Sequence, residues 1–230
     1  MEKKMNTLQP NEARAARAVL LIKIVLGLGI ISLISDYFQY GLLQSIIAEE
    51  IVDESTAAAN DLRQMVIGIV YIIAFIISAV TFIQWFRRAY ANLHVKVKTL
   101  THSEGWAAGS WFVPFINLYR PYKIMMELYG ETDTLLKLKH DRYSRKISTA
   151  PVTWWWILWI ISSIMGQASF RYSLKAETPE ELIISTLLTM ATSAIEIPLA
   201  LITIKVIKDY AAIEPLLFTM QEDSAADTAG

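Results

Sequence analysis

One carboxylate in the sequence sits where acids are rare. Glu196 falls inside the apolar run 182–204 and shares a helical face with Ser185, Thr189, Thr192 and Thr203. The gaps of 4, 3, 4 and 7 residues fit a repeat of 3.6 residues per turn. An acid so placed either carries a proton or an ion, or it makes a structural hydrogen bond or an ion pair with Arg88, Arg120 or Lys123. Pro198 cannot donate to the Ala194 carbonyl, which leaves an acceptor free one turn from the carboxyl and favours a kink. Gln167, on a second apolar run, adds an amide that needs a partner in low dielectric. Glu196, Thr192, Thr189 and Gln167 are therefore the candidate intramembrane polar site.

Other chemistry is sparse. His94, His102 and His140 stand 8 and 38 residues apart, and neither gap suits metal ligands on one helix. With no cysteine, thiolate ligands, disulfides and cysteine nucleophiles are all excluded. There is no His-Glu-x-x-His, no Gly-x-Ser-x-Gly and no glycine-rich phosphate loop. Ser110 lies between Gly109 and Trp111 without a base at helical spacing, as a small residue at a helix break would. These absences lead us to expect no catalytic residue, no metal and no cofactor, and so not an enzyme.

The elements that must position Glu196 are apolar helices. The chain is 54% hydrophobic and 19% charged, with mean hydropathy +0.37, whereas a soluble domain carries about 25% charged residues. The runs 18–35, 65–86, 152–170 and 182–204 are each close to the ~20 residues that cross a bilayer core. Lys23 lies near one end of the first and can snorkel to the headgroups. This first run lacks a small-x-small cleavage pattern and is read as an uncleaved anchor. Of 21 Lys and Arg, five lie up to and including Lys23, one between the first two runs, eleven between the second and third, and two in each remaining segment. Basic residues collect on alternate sides, which places both termini in the cytoplasm and the acidic stretch 36–63 outside. The expected fold is all-α: a polytopic membrane helical bundle of about four transmembrane helices in the cytoplasmic (inner) membrane. Its parts would be a cytoplasmic N-terminal segment 1–17, a membrane domain 18–210 with a cytoplasmic loop 87–151, and a partly disordered cytoplasmic tail 211–230. Within it, 42–62 is expected as a helical connector and 129–146 as a cytoplasmic helix. Ser162, Gly166, Ser169 and Ser173 would offer a neighbouring helix a face of small residues.

The segment 105–122 is apolar too, but basic clusters flank it on both sides (Arg87, Arg88, Lys96 and Lys98; Lys137, Lys139, Arg142, Arg145 and Lys146). A true span would force one cluster outside. Pro114 and Pro121 interrupt it, and its aromatics suit the headgroup zone. It is read as a re-entrant or interfacial aromatic-proline element. Tyr71, Ala74, Ser78, Thr81, Trp85, Arg88 and Asn92 form one stripe along the second span, so Arg88 and Asn92 are expected to face this element. There they would bond carbonyls that the prolines leave unpaired, and Arg120 is expected to serve others. Arg88, Asn92, Trp106, Trp111, Pro114, Asn117, Arg120 and Pro121 make up the candidate interaction segment.

These residues carry a resemblance. Trp85-Phe-Arg-Arg-Ala-Tyr-Ala-Asn-Leu93, Gly105-Trp106 and Gly109-Ser-Trp-Phe-Val-Pro-Phe-Ile-Asn-Leu-Tyr-Arg-Pro-Tyr122, followed by Met125, Glu127 and Leu128, resemble the domain of unknown function 4328 family. Tyr129 stands where that pattern leads one to expect tryptophan. The resemblance implies a polytopic bacterial membrane protein and implies no activity. Two roles fit the residues: a non-enzymatic scaffold or regulatory component, or a small transporter or ion pathway using Glu196. The partners expected are the lipid bilayer, a protein or anionic lipid at the cytoplasmic face, and a second copy of the chain. A net charge of −1 gives no reason to expect nucleic acid.

Overall fold

The computed structural model describes residues 7–139 and 147–219. His140, Arg142, Arg145 and Lys146, and residues 220–230 of the tail, lie outside the described residues. The elements are α1 (Glu12–Ile47), α2 (Glu54–Lys96), α3 (Trp106–Gly109), a 3-10 turn (Ile116–Leu118), α4 (Arg120–Lys139), α5 (Ala150–Ser173) and α6 (Pro179–Ala211). No strand occurs among the described residues. Among the described residues three helices are long and apolar enough to cross a membrane: α1, α2, and α6 with the turn that continues it to Thr219. At about 1.5 Å per residue the 43 residues of α2 reach roughly 65 Å, twice a bilayer core. Hydropathy marks only the part of each helix that needs lipid, so the helices outrun the spans read from it. The 24 residues of α5 reach about 36 Å, but Trp154, Trp155, Trp156 and Trp159 with Ser162 and Ser163 lower its mean hydropathy.

Local chemistry sets the ends. Glu49 closes α1 with a left-handed φ of 56°, so that the Glu50 N–H bonds the Ser45 carbonyl at 3.1 Å. Asp53 opens α2, its carbonyl accepting from the Thr56 and Ala57 N–H groups. The expected connector 42–62 is thus no single helix: it is the end of α1, a break and the start of α2. Six residues that include a positive φ cannot continue a helical ladder. At α6, the Glu181 carboxylate accepts from the Glu177 and Thr178 N–H groups while the Thr178 hydroxyl accepts from the Glu181 N–H. This capping box has Pro179 pre-set in the first turn.

The chain divides into two compact units. The first comprises Met1–Leu20, Ala79–Trp156 and Ile204–Gly230; the second comprises Leu21–Ser78 and Ile157–Thr203. The first unit has an aromatic core in which Trp85, Phe86, Tyr90, Tyr129, Trp155 and Tyr210 are buried with Leu93, Leu128 and Ile207. Phe82 packs edge-on to Trp111 at 5.8 Å and tilted against Trp155 at 5.8 Å. Ile213, Glu214 and Leu217 are buried here as well, so the tail is anchored at least as far as Leu217. In the second unit the buried set is largely Ser, Thr, Asp and Asn, while Ile, Val and Phe face outward.

Candidate functional site

The aromatic-proline segment is built around one inward anchor. Trp111 points its ring at Phe82, Trp155 and Trp156, with centroids 5.8, 6.3 and 6.2 Å away. The next residues turn the other way. Phe112 is 76% exposed and Phe115 81%, and Val113, Leu118 and Tyr119 are exposed beside them. Phe115 has φ 62° and ψ −38°, and the Ile116 N–H reaches back to the Pro114 carbonyl at 2.7 Å. That is a γ-turn of the positive-φ kind, rare for a bulky residue and costing roughly 1–3 kcal/mol. Asn117 closes the loop through its N–H on the Val113 carbonyl at 3.0 Å.

Arg120 starts α4 with its guanidinium 4.1 Å above the Trp106 ring. The expectation that it bonds loop carbonyls fails: its Nε is buried without a partner, and the ring face holds the group instead. Lys123 lies 5.3 Å from the Tyr119 ring. Pro121 is buried in the first turn of α4. Ser110 is buried with its hydroxyl unpaired, and no base bonds it.

Asn92 and Arg88 also depart from expectation. The Asn92 side-chain amide pairs with the backbone of Gln9 in both directions, accepting from its N–H at 3.0 Å and donating to its carbonyl at 2.9 Å. It also donates to Glu214 at 2.7 Å. Asn11 donates to both oxygens of Glu214, at 3.3 and 3.0 Å, and to the Trp85 carbonyl at 3.3 Å. Glu214, 4% exposed, thereby joins the N-terminal segment, α2 and the chain beyond α6. Arg88 is half-buried and acts electrostatically on Glu214 and Glu104. Asn92 faces Gln9 because the N-terminal segment, not the proline loop, fills this side of α2.

A second carboxylate orders the loop ahead of the segment. Glu127 accepts from Tyr90 at 2.5 Å and from the Thr101 N–H at 2.6 Å, and Tyr90 also donates to the His102 carbonyl. Burial opposes its ionisation, but the bonds from Tyr90 and Thr101 outweigh burial and hold this carboxyl below the usual glutamate range. The Tyr129 hydroxyl donates to the Val206 carbonyl at 2.5 Å, a bond that an indole at that position would have to make from another atom. His94 faces Tyr90 and the His102 carbonyl. No cluster of metal-ligating side chains occurs among the described residues.

The second unit holds Glu196. Its partner is Tyr71 of α2, which donates to Oε2 at 2.7 Å. No ion pair of Glu196 with Arg88, Arg120 or Lys123 occurs among the described residues. Further polar pairs accompany it: Ser169 with Thr189 at 3.1 Å, Gln39 to Thr186 at 3.0 Å, Gln64 to Asp36 at 3.3 Å and Arg63 to Ser35 at 2.9 Å. Thr192 is buried and bonds the Leu188 carbonyl of its own helix. Gln167 is exposed on α5 and makes no hydrogen bond among the described residues, so it stands apart from the others. Sequence reasoning missed Asn11 and Glu214 as a site, and Tyr71 as the partner of Glu196. Only Tyr71 left a signal, as a phenol on the polar stripe of α2.

Comparison with known proteins gives one match. The family described as domain of unknown function (DUF4328) matches residues 48–212, a range that includes every motif quoted above. No curated protein and no solved structure matches the chain.

Proposed function

The chain belongs to the DUF4328 family, and for this member we propose a non-enzymatic scaffold or regulatory role in the bacterial cytoplasmic membrane. In this reading α5 is the fourth span, and the spans are 18–35, 65–86, 152–170 and 182–204. The eleven basic residues between the second and third spans support it, because they hold that loop and both termini in the cytoplasm. The segment 105–122 then lies at the cytoplasmic interface. The observation that carries the reading is the outward turn at Phe112–Phe115 on a rigid Trp111 anchor. It presents apolar side chains where a catalytic site would enclose reacting groups.

The absence of cysteine makes topology directly testable. Ser55→Cys and Thr178→Cys should react with an impermeant maleimide in intact cells, while Lys98→Cys and Lys139→Cys should not. Labelling at 98 but not at 139 would make the aromatic segment a span and overturn the four-span reading.

The Tyr71–Glu196 pair favours a second reading, a small transporter or ion pathway. An acid held in an apolar span by one hydroxyl can exchange a proton without breaking an ion pair. Flux in proteoliposomes separates the two. A pH-dependent flux lost in folded Glu196→Gln would replace the scaffold reading; no flux in the wild type keeps it.

A further inference from the structure

We propose that Arg120 and Lys123 bind the phosphate of an anionic phospholipid headgroup while Phe112, Val113 and Phe115 seat among the adjoining acyl chains. The proposal rests on the interfacial reading of 105–122 and gives that segment its ligand. The first unit is organised as water demands, with apolar groups inside, so its exceptions carry information. Leu20, Val80 and Trp154 adjoin the apolar spans in sequence, and Leu138 ends α4. Among the described residues of this unit the other exposed large apolar side chains are Phe112, Val113, Phe115, Leu118 and Tyr119, a single stretch. Within it, Phe115 is held in a strained turn that directs its ring away from protein. Strain of this kind is held by the surrounding structure and clusters at ligand clamps and other functional sites.

The cations supply the second half of the argument. The ion pairs among the described residues are Arg87–Glu104, Lys137–Asp133 and Lys205–Asp209. Arg120 and Lys123 take part in none of them. Both rest on aromatic faces, Trp106 and Tyr119, which orient a cation without neutralising it. A phosphodiester carries one negative charge and two free oxygens, which suit the planar fork of arginine with a lysine point charge beside it. Free phosphate would satisfy the cations and leave Phe112 and Phe115 in water. A lipid joins the anion to hydrocarbon and so meets both requirements.

The test uses the full chain in two arms. In the first, Phe115→Cys carries an environment-sensitive dye in liposomes. Quenching by labelled acyl chains is expected, and quenching only by aqueous iodide would overturn the interfacial reading and the proposal with it. In the second arm, binding to the detergent-solubilised protein is measured for phosphatidylglycerol, phosphatidylcholine, inorganic phosphate and polyglutamate. Phosphatidylglycerol should bind selectively, and its affinity should fall about fivefold for Lys123→Gln and about fivefold again when Arg120→Gln is added. Lys175→Gln, which removes a cation from the second unit, should leave the affinity unchanged. A dye in lipid with equal binding of the two phospholipids would sink the phosphate site and spare the interfacial reading. Equal binding of inorganic phosphate, or binding of polyglutamate alone, would assign the cations to a soluble anion or an acidic protein instead.

Discussion

The two units of this chain obey opposite rules of burial. In the first, the large buried side chains are mostly Trp, Tyr, Phe, Leu and Ile, and among the described residues the buried polar groups form a short set of Asn11, Asn92, Ser110, Thr132 and Glu214. In the second, Ile22 and Leu43 are the buried apolar residues, while Ser35, Asp36, Asn60, Ser78, Ser162, Ser169, Ser185, Thr186, Thr192 and Ser193 are buried polar ones. The same helices contribute to both units, so helix formation alone explains neither pattern. Solvent does. Water drives apolar groups inward, whereas lipid leaves apolar side chains outside at no cost and makes every hydroxyl and carboxyl seek a partner. The change of rule along α1, α2 and α6, the helices long and apolar enough among the described residues to cross a membrane, is what a membrane protein requires.

That contrast can be broken by equal truncations in the two units. Trp155→Ala removes a buried indole from the first unit and should cost about 3–5 kcal/mol. Phe75→Ala removes an exposed ring from the second and should change stability in detergent by roughly 0.5 kcal/mol or less. Melting in one detergent measures both, and a Phe75→Ala loss as large as that of Trp155→Ala would erase the distinction. Polar deletions sharpen it. Asn92→Ala strands Gln9 and part of Glu214, three bonds in one buried place, and should cost about 3 kcal/mol. Tyr71→Phe leaves one carboxyl without its donor and should cost about 1–3 kcal/mol. Glu196→Gln keeps shape and acceptor and should remain folded. If it unfolds, Glu196 is an ionised partner of some cation and not a hydrogen-bonded acid.

Most of the fold was legible because long apolar helices announce themselves in hydropathy. The stripe from Tyr71 to Asn92 follows from helical periodicity, and its least exposed members Ser78, Trp85 and Asn92 lie on it. Partners were not legible. Glu196 could be singled out as costly to leave alone, but which of a phenol or several cations reached it depends on helix register, which periodicity does not encode. Asn11 and Glu214 are 203 residues apart, and nothing local marks either as buried. Glu214 follows the end of α6 among residues whose composition suggests a free tail. The Phe115 turn was hidden for a different reason: a positive φ at an aromatic runs against local preference, so no propensity argument would place it.

Acid titration tests the loop carboxylate of the first unit. The Glu127 carboxyl is held below its ordinary value of 4.5. Its stabilising contribution is therefore complete above about that pH, and it is lost as pH falls through the lower folded value. Glu127→Gln removes the charge that Tyr90 and Thr101 solvate. The wild type should exceed this variant by a constant margin at neutral pH, and the margin should shrink below about pH 4.5. A margin that widens as the solution is acidified would mean that the folded protein prefers the neutral acid.

The smallest expected effect bears most directly on why Phe115 is an aromatic residue. Glycine adopts a positive φ without the steric penalty that a side chain suffers. In detergent, Phe115→Gly should therefore raise stability or leave it unchanged, by up to about 1 kcal/mol, because the ring is 81% exposed and little packing is lost. In liposomes the same variant should lose whatever the ring gains from acyl chains, so the stabilising effect should vanish or reverse. The difference between the two environments isolates the lipid term, since backbone relief is common to both. Phe115→Ala controls for size while retaining the penalty, so it should leave stability nearly unchanged in detergent and lower it in liposomes. If Phe115→Gly weakens the protein equally in detergent and in liposomes, the ring is packed against protein, and the outward turn of this segment serves the fold and not the membrane.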